Sequence, residues 1–144
     1  MIFFVDGLLW LRSGLGKVAE GKFAESLPLI LKKFASENPY PFYKQLLLTT
    51  GIPYAKTLAG IIMWGEVISA LAILFSVISL FIRPNANYFA ERTLVGGLLI
   101  GLILNTNFWF GGGWTSASTE SINLLMAAIE AIGIATLVKG WFTK

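Results

Sequence analysis

Four residues of this chain have side chains suited to chemistry yet stand inside apolar stretches: Arg12, Glu66, Asn105 and Glu130. Glu66 is the one charge deep within the run from about Tyr54 to Ile82. A charged side chain at the centre of a membrane-length helix costs roughly 2.5–3.5 kcal/mol on insertion scales, so each needs a partner or a purpose.

Depth arithmetic says which of them share a level. If the apolar stretches cross a membrane in alternating directions, Arg12 stands ten residues before Lys22, or about 15 Å below one face. Glu66 stands nine residues after Thr57, about 14 Å below the same face, and Glu130 eleven after Thr119, about 16 Å. Asn105, twelve residues from Thr93, lies about 12 Å from that face in a core ~30 Å thick. The four are expected to form a midplane polar cluster for quinone or proton handling. The planar guanidinium of Arg12, with its five donors, is expected to pair with Glu66, Glu130 or both. Asp6, about 9 Å away along the first helix, extends the polar path. A structural ion pair that fixes helix register is the equal alternative.

The elements that must position these groups follow from composition and periodicity. The 144 residues are 56% hydrophobic and only 13% charged, with a mean hydropathy of +0.72. A soluble domain carries about a quarter charged residues, so a multi-pass integral membrane protein in a lipid bilayer is expected. The net charge of +3 comes from dispersed lysines, which suit anionic lipid headgroups and form no basic face for nucleic acid. There is no Cys and no His. Disulfides, Cys/His zinc sites, iron–sulfur clusters and His-ligated haem are therefore not expected from this chain.

The expected fold is all-α: a single domain over residues 1–144, built as a four-helix membrane bundle. Its spans are placed at about 2–21, 54–82, 88–110 and 118–141, with an amphipathic interfacial helical segment at about 23–53. The first stretch has neither the basic lead nor the small-x-small ending of a signal peptide, and reads as a retained helix. In the second segment Leu27, Ile30, Leu31 and Phe34 recur at helical spacing against Lys32, Lys33 and Glu37. Ser26 reads as its N-cap, Asn38-Pro39-Tyr40-Pro41 as a break, and Gly51 as the left-handed cap of a second short helix. Both an interfacial helix pair and a loop packed over the bundle fit this pattern. Arg83-Pro84-Asn85 ends the long run, and Gly97-x-x-x-Gly101 offers a small face for close helix packing. The Gly111-Gly112-Gly113 turn has no following Lys and no strand before it, so it is not read as a phosphate loop.

The order of motifs resembles the DoxX-like family of four-helix membrane proteins. The match is carried by Leu11-Arg12-x-x-Leu15-Gly16 with Gly21-Lys22, by Pro53 and Trp64-Gly65-Glu66, and by Asn105-Thr106-Asn107-Phe108 with Asn123-Leu124-Leu125. It covers nearly the whole chain, and the positions that carry over are Arg12, Gly16, Lys22, Glu66 and Asn105. The family includes the DoxD membrane subunit of thiosulfate:quinone oxidoreductase. The resemblance implies a quinone-interacting subunit in electron transport, working in a protein complex with other membrane or redox subunits, in a prokaryotic plasma membrane. It implies at most a membrane subunit of an enzyme, since this chain lacks the groups to oxidise thiosulfate alone.

A quinone slot is flat and apolar with a few hydrogen-bonding groups, and Trp10, Trp64 and Trp109 are candidate linings. The alternative is a non-catalytic accessory subunit that stabilises a larger respiratory or photosynthetic complex. A small transporter is the third reading, disfavoured because no internal repeat is visible.

Overall fold

The computed structural model describes residues 1–83 and 88–142 and is all-helical, with no strand among the described residues. Helix α1 spans Ile2–Glu20, α2 Phe23–Glu37 and α3 Pro41–Leu46, which runs on into a π turn at Leu47–Gly51. Then come α4 (Ala55–Ile82), α5 (Tyr88–Gly112, extended by a 3-10 turn at Gly113–Thr115) and α6 (Ala117–Phe142). Three helical stretches are long and apolar enough to cross a membrane: α4, α5 with its 3-10 turn, and α6. Arg83 caps α4, while Pro84 and Asn85 of the expected stop lie outside the described residues.

The long helices pack in sequence, α1 on α4, α4 on α5 and α5 on α6. Missing side chains set the first of these contacts. A Cβ on Gly7 would stand 2.9 Å from Leu74 Cγ, and one on Gly14 2.8 Å from Val67 Cγ2, so α1 lies directly on α4. Gly97 seats α5 on α4 in the same way, and its carbonyl accepts a buried bond of 2.8 Å from Ser69 Oγ. Helices α1 and α6 meet through long side chains, Phe3 against Gly133 and Trp10 against Glu130. Ala70, Ile73, Leu94, Leu98 and Met126 fill the space between.

Helices α2 and α3 lie over one end of this assembly. Leu27, Leu31, Ala35, Tyr43 and Leu47 form a second core with Ala55 and Ala59 of α4. Asn38 fixes the corner between them: its Nδ2 donates to the carbonyls of Phe110 (3.0 Å) and Gly111 (3.3 Å), and its Oδ1 accepts from the Tyr40 amide. The outer side of this segment exposes Leu29, Phe42, Leu46 and Leu48.

Local chemistry differs from expectation at two places. The left-handed residue is Gly21 (φ 65), which ends α1; Gly51 instead closes the π turn, with the Ile52 amide bonded to Leu47 O at 2.8 Å. Helix α2 starts at Phe23, so Ser26 is inside its first turn and donates to Phe23 O, and Pro28 falls inside the helix.

The long helices turn large apolar side chains outward, among them Ile61, Ile68, Leu71 and Phe75 of α4 and Ile122, Leu125 and Ile132 of α6. So continuous an exposed apolar surface fits a lipid bilayer rather than water.

Candidate functional site

Glu66 is fully buried, and its partner is Lys17 rather than Arg12. Lys17 Nζ donates to both carboxylate oxygens at 2.8 Å and to Ser13 Oγ at 2.7 Å. Ser13 and Lys17 are one turn apart on α1, on the side where Gly14 brings that helix against Glu66. Arg12 comes one residue too soon to share this face. It is exposed, and makes no hydrogen bond or ion pair among the described residues.

Glu130 is held by neutral donors. Trp10 Nε1 gives Oε1 a bond of 2.8 Å, and Asn105 Nδ2 gives Oε2 one of 2.9 Å, both buried. Gly101 makes room for this arrangement, since a Cβ there would run into Glu130 Oε1 and Trp10 Nε1. Asp6 lies within electrostatic range of Glu130, only 2% exposed, with neither carboxylate oxygen hydrogen-bonded. Trp10, Asn105 and Glu130 thus form one cluster, with Asp6 nearby, and Glu66 belongs to a separate one; among the described residues no hydrogen bond or ion pair joins the two.

Between the bundle and the α2–α3 cap lies a cavity of about 510 Å³. That is within the range of roughly 300–1,000 Å³ typical of small-molecule sites. Leu27, Leu31 and Phe34 form its roof, Leu58 and Ile62 one wall, and Leu104 and Phe108 another. Leu47 and Gly51, the ends of the π turn, also line it, and such turns often occur at functional sites.

The polar groups in the cavity are few. Ser13 and Lys17 enter from α1, Tyr43 from the cap, Asn107 from α5, and Thr119 and Asn123 from α6. The Ser13 hydroxyl oxygen accepts from Lys17, and the Ser13 side chain also interacts with the Glu66 carboxylate, so Ser13 belongs to the ion-pair cluster. Tyr43 donates towards Asn107, 3.0 Å from its backbone oxygen and 3.1 Å from Oδ1. Burial pushes the Tyr43 phenol up from its ordinary value, so it stays protonated and keeps donating.

None of the three tryptophans lines this cavity. Trp64, two residues before Glu66, points about 200° away around the helix and is 57% exposed. Trp109 packs on Tyr40 (5.6 Å between ring centroids) and Phe110 (4.9 Å), with its indole N–H buried and unpartnered. Trp10 stands behind the wall: its ring lies 6.3 Å from that of Phe108, which does face the cavity. It therefore links the cavity wall to the Glu130 cluster.

Sequence reasoning missed Lys17, Ser13, Tyr43 and Asn107. The signal for two of them was present, since Trp10, Ser13, Gly14 and Lys17 recur at spacings of three and four on one face of α1. Gly16 and Lys22, two of the positions carried by the family resemblance, face open space and solvent respectively.

No protein-family model matches this chain, and neither a curated protein nor a solved structure does.

Proposed function

We propose that this chain is the quinone-binding membrane subunit of an oxidoreductase of the thiosulfate:quinone oxidoreductase type, a DoxX-like four-span bundle with α2 and α3 in the membrane interface. The observation that carries the reading is the apolar cavity beside the Lys17–Glu66 pair. A quinone needs flat apolar walls and a few polar groups at its ring carbonyls; Phe34 and Phe108 line the cavity, and Lys17, Thr119 and Asn123 are polar groups at its wall. A bound quinone would supply two-electron redox chemistry. The chain itself would orient the ring, exclude water beneath the α2–α3 cap, and hold a proton-exchanging pair at Lys17 and Glu66.

A fourth span in α1 is supported by its packing and its outer surface. Its 19 residues are about 28 Å long, close to a hydrocarbon core of ~30 Å. Its outer side carries Ile2, Val5, Leu8, Leu9, Leu15 and Val18, while Asp6 and Lys17 turn inward. Those inward charges keep its hydropathy low.

The test is extraction of the purified protein in mild detergent, with bound quinone measured by mass spectrometry in the wild type and in Glu66→Gln. Stoichiometric quinone in the wild type and its loss in Glu66→Gln are expected. A wild-type protein that carries no quinone, and shows no thermal shift with a short-chain quinone, would end this reading.

The alternative, a non-catalytic accessory subunit of a larger respiratory or photosynthetic complex, is favoured by one fact of sequence. With no Cys and no His, the chain offers no ligands for the usual protein-bound electron carriers. Under that reading Glu66→Gln loosens assembly and leaves the redox rate of the intact complex unchanged.

A further inference from the structure

We infer that the outer face of α1 is a docking surface for a membrane helix of another protein, one that carries a carboxylate at mid-membrane depth opposite Arg12. The inference rests on α1 crossing the membrane, as proposed above. On that helix Asp6, Gly7, Trp10 and Gly14 are buried, and Val5, Leu8, Leu9 and Leu15 are exposed. Arg12 stands among these exposed apolar residues. It is ten residues from Ile2 and eight from Glu20, more than two turns from either end of α1. Arginine snorkels to headgroups from the ends of a span, and this one is at the centre.

Among the described residues Arg12 has no hydrogen-bond or ion-pair partner within the chain, and the exposed carboxylate on its side of α1, Glu20, stands about 12 Å further along the helix. A permanently charged guanidinium in that position requires an anion from outside. A second copy does not supply one. Two copies related by an axis along the membrane normal place both Arg12 side chains at the same depth, where like charges repel. A helix from a different subunit with an aspartate or glutamate at that level meets both requirements: it covers the apolar stripe and accepts the bidentate guanidinium.

The experiment uses the full chain in native membranes. Because the chain has no Cys, Leu15→Cys gives a single thiol whose reaction with a membrane-impermeant maleimide reports whether this face of α1 is in water. A photo-activatable residue in place of Leu8 then reports what covers it. The expected result is a Leu15→Cys thiol that does not react, and a cross-link to a membrane helix containing Asp or Glu. That cross-link should fall at least tenfold in Arg12→Glu and return when the partner's acid is changed to Arg. Arg12→Gln, which keeps the side chain's polarity and much of its length, should weaken the cross-link without changing the amount of protein in the membrane.

Rapid labelling of Leu15→Cys would overturn both this inference and the fourth span. An unreactive thiol with cross-links only to lipid, or to a second copy of this chain, would leave the span standing and overturn the docking surface. So would a partner cross-link that is unchanged in Arg12→Glu.

Discussion

Lys17 Nζ stands 2.8 Å from each carboxylate oxygen of Glu66, a side chain with no exposed surface, while the Lys17 side chain remains partly accessible at 24%. The pair therefore spans a boundary, with its anion in the bundle and its cation at the cavity wall.

That asymmetry sets the first prediction. Lys17→Met strands a buried carboxylate and should destabilise the protein by about 3 kcal/mol, the lower end of the range for breaking a buried pair because the Lys17 side chain is not fully buried. The double variant Lys17→Met/Glu66→Leu removes both charges and should recover most of the loss. Reversible unfolding in mixed micelles measures the cycle, and a Lys17→Met loss below about 1 kcal/mol would show that the pair is of little structural weight.

Gly101→Ala should disrupt the Glu130 cluster. The added methyl occupies the place of Glu130 Oε1 and presses on Trp10 Nε1. A loss of about 1–3 kcal/mol is expected from overpacking and a broken buried bond. Combining it with Glu130→Ala, which vacates that space, should show strong non-additivity in thermal unfolding. Simple addition of the two effects would mean the clash is absorbed elsewhere.

Tyr43 gives a pH signature outside the spans. Its folded pKa is raised above the ordinary 10.0, so the protonated phenol is favoured by folding. The resulting stability is complete below about pH 10 and is lost as pH rises towards the folded value. Wild type should lose more stability than Tyr43→Phe on going from neutral to strongly alkaline pH. Parallel curves for the two proteins would contradict the assignment.

Ile62→Trp should fill the cavity from the α4 wall. Quinone retention should drop at least tenfold while stability stays within about 1 kcal/mol, since the new ring enters empty space rather than a packed core. Undiminished binding in a folded variant would move the ligand out of this cavity.

Much of this was legible from the chain alone, and the failures have a common physical origin. Hydropathy and length located α4, α5 and α6, because a long apolar run has few other readings. Depth along a helix axis also placed Asn105 and Glu130 level with each other, where they bond. Axial depth says nothing about azimuth, and azimuth separates Arg12 from Lys17 and Trp64 from Glu66. The glycines that fix it, Gly7 and Gly14, are seven residues apart and were readable as a packing stripe; their partners on α4 were not. The roof of the cavity was harder still. The apolar stripe of α2 suits a lipid surface and a protein surface equally, and only the three-dimensional course of Asn38 and Tyr43 onto α5 decides that it covers the bundle.

The bond from Trp10 to Glu130 joins positions 120 residues apart, so α1 and α5 are synthesised before the acceptor in α6 exists. Until α6 is made, the indole N–H in α1 and the Asn105 amide in α5 have no acceptor at Glu130, in a setting where unmet polar groups are expensive. A chain cut short before α6 therefore lacks the acceptor that closes this cluster. Translation of α6 is therefore the step at which this buried polar cluster can close, and the order of the helices along the chain sets when it does.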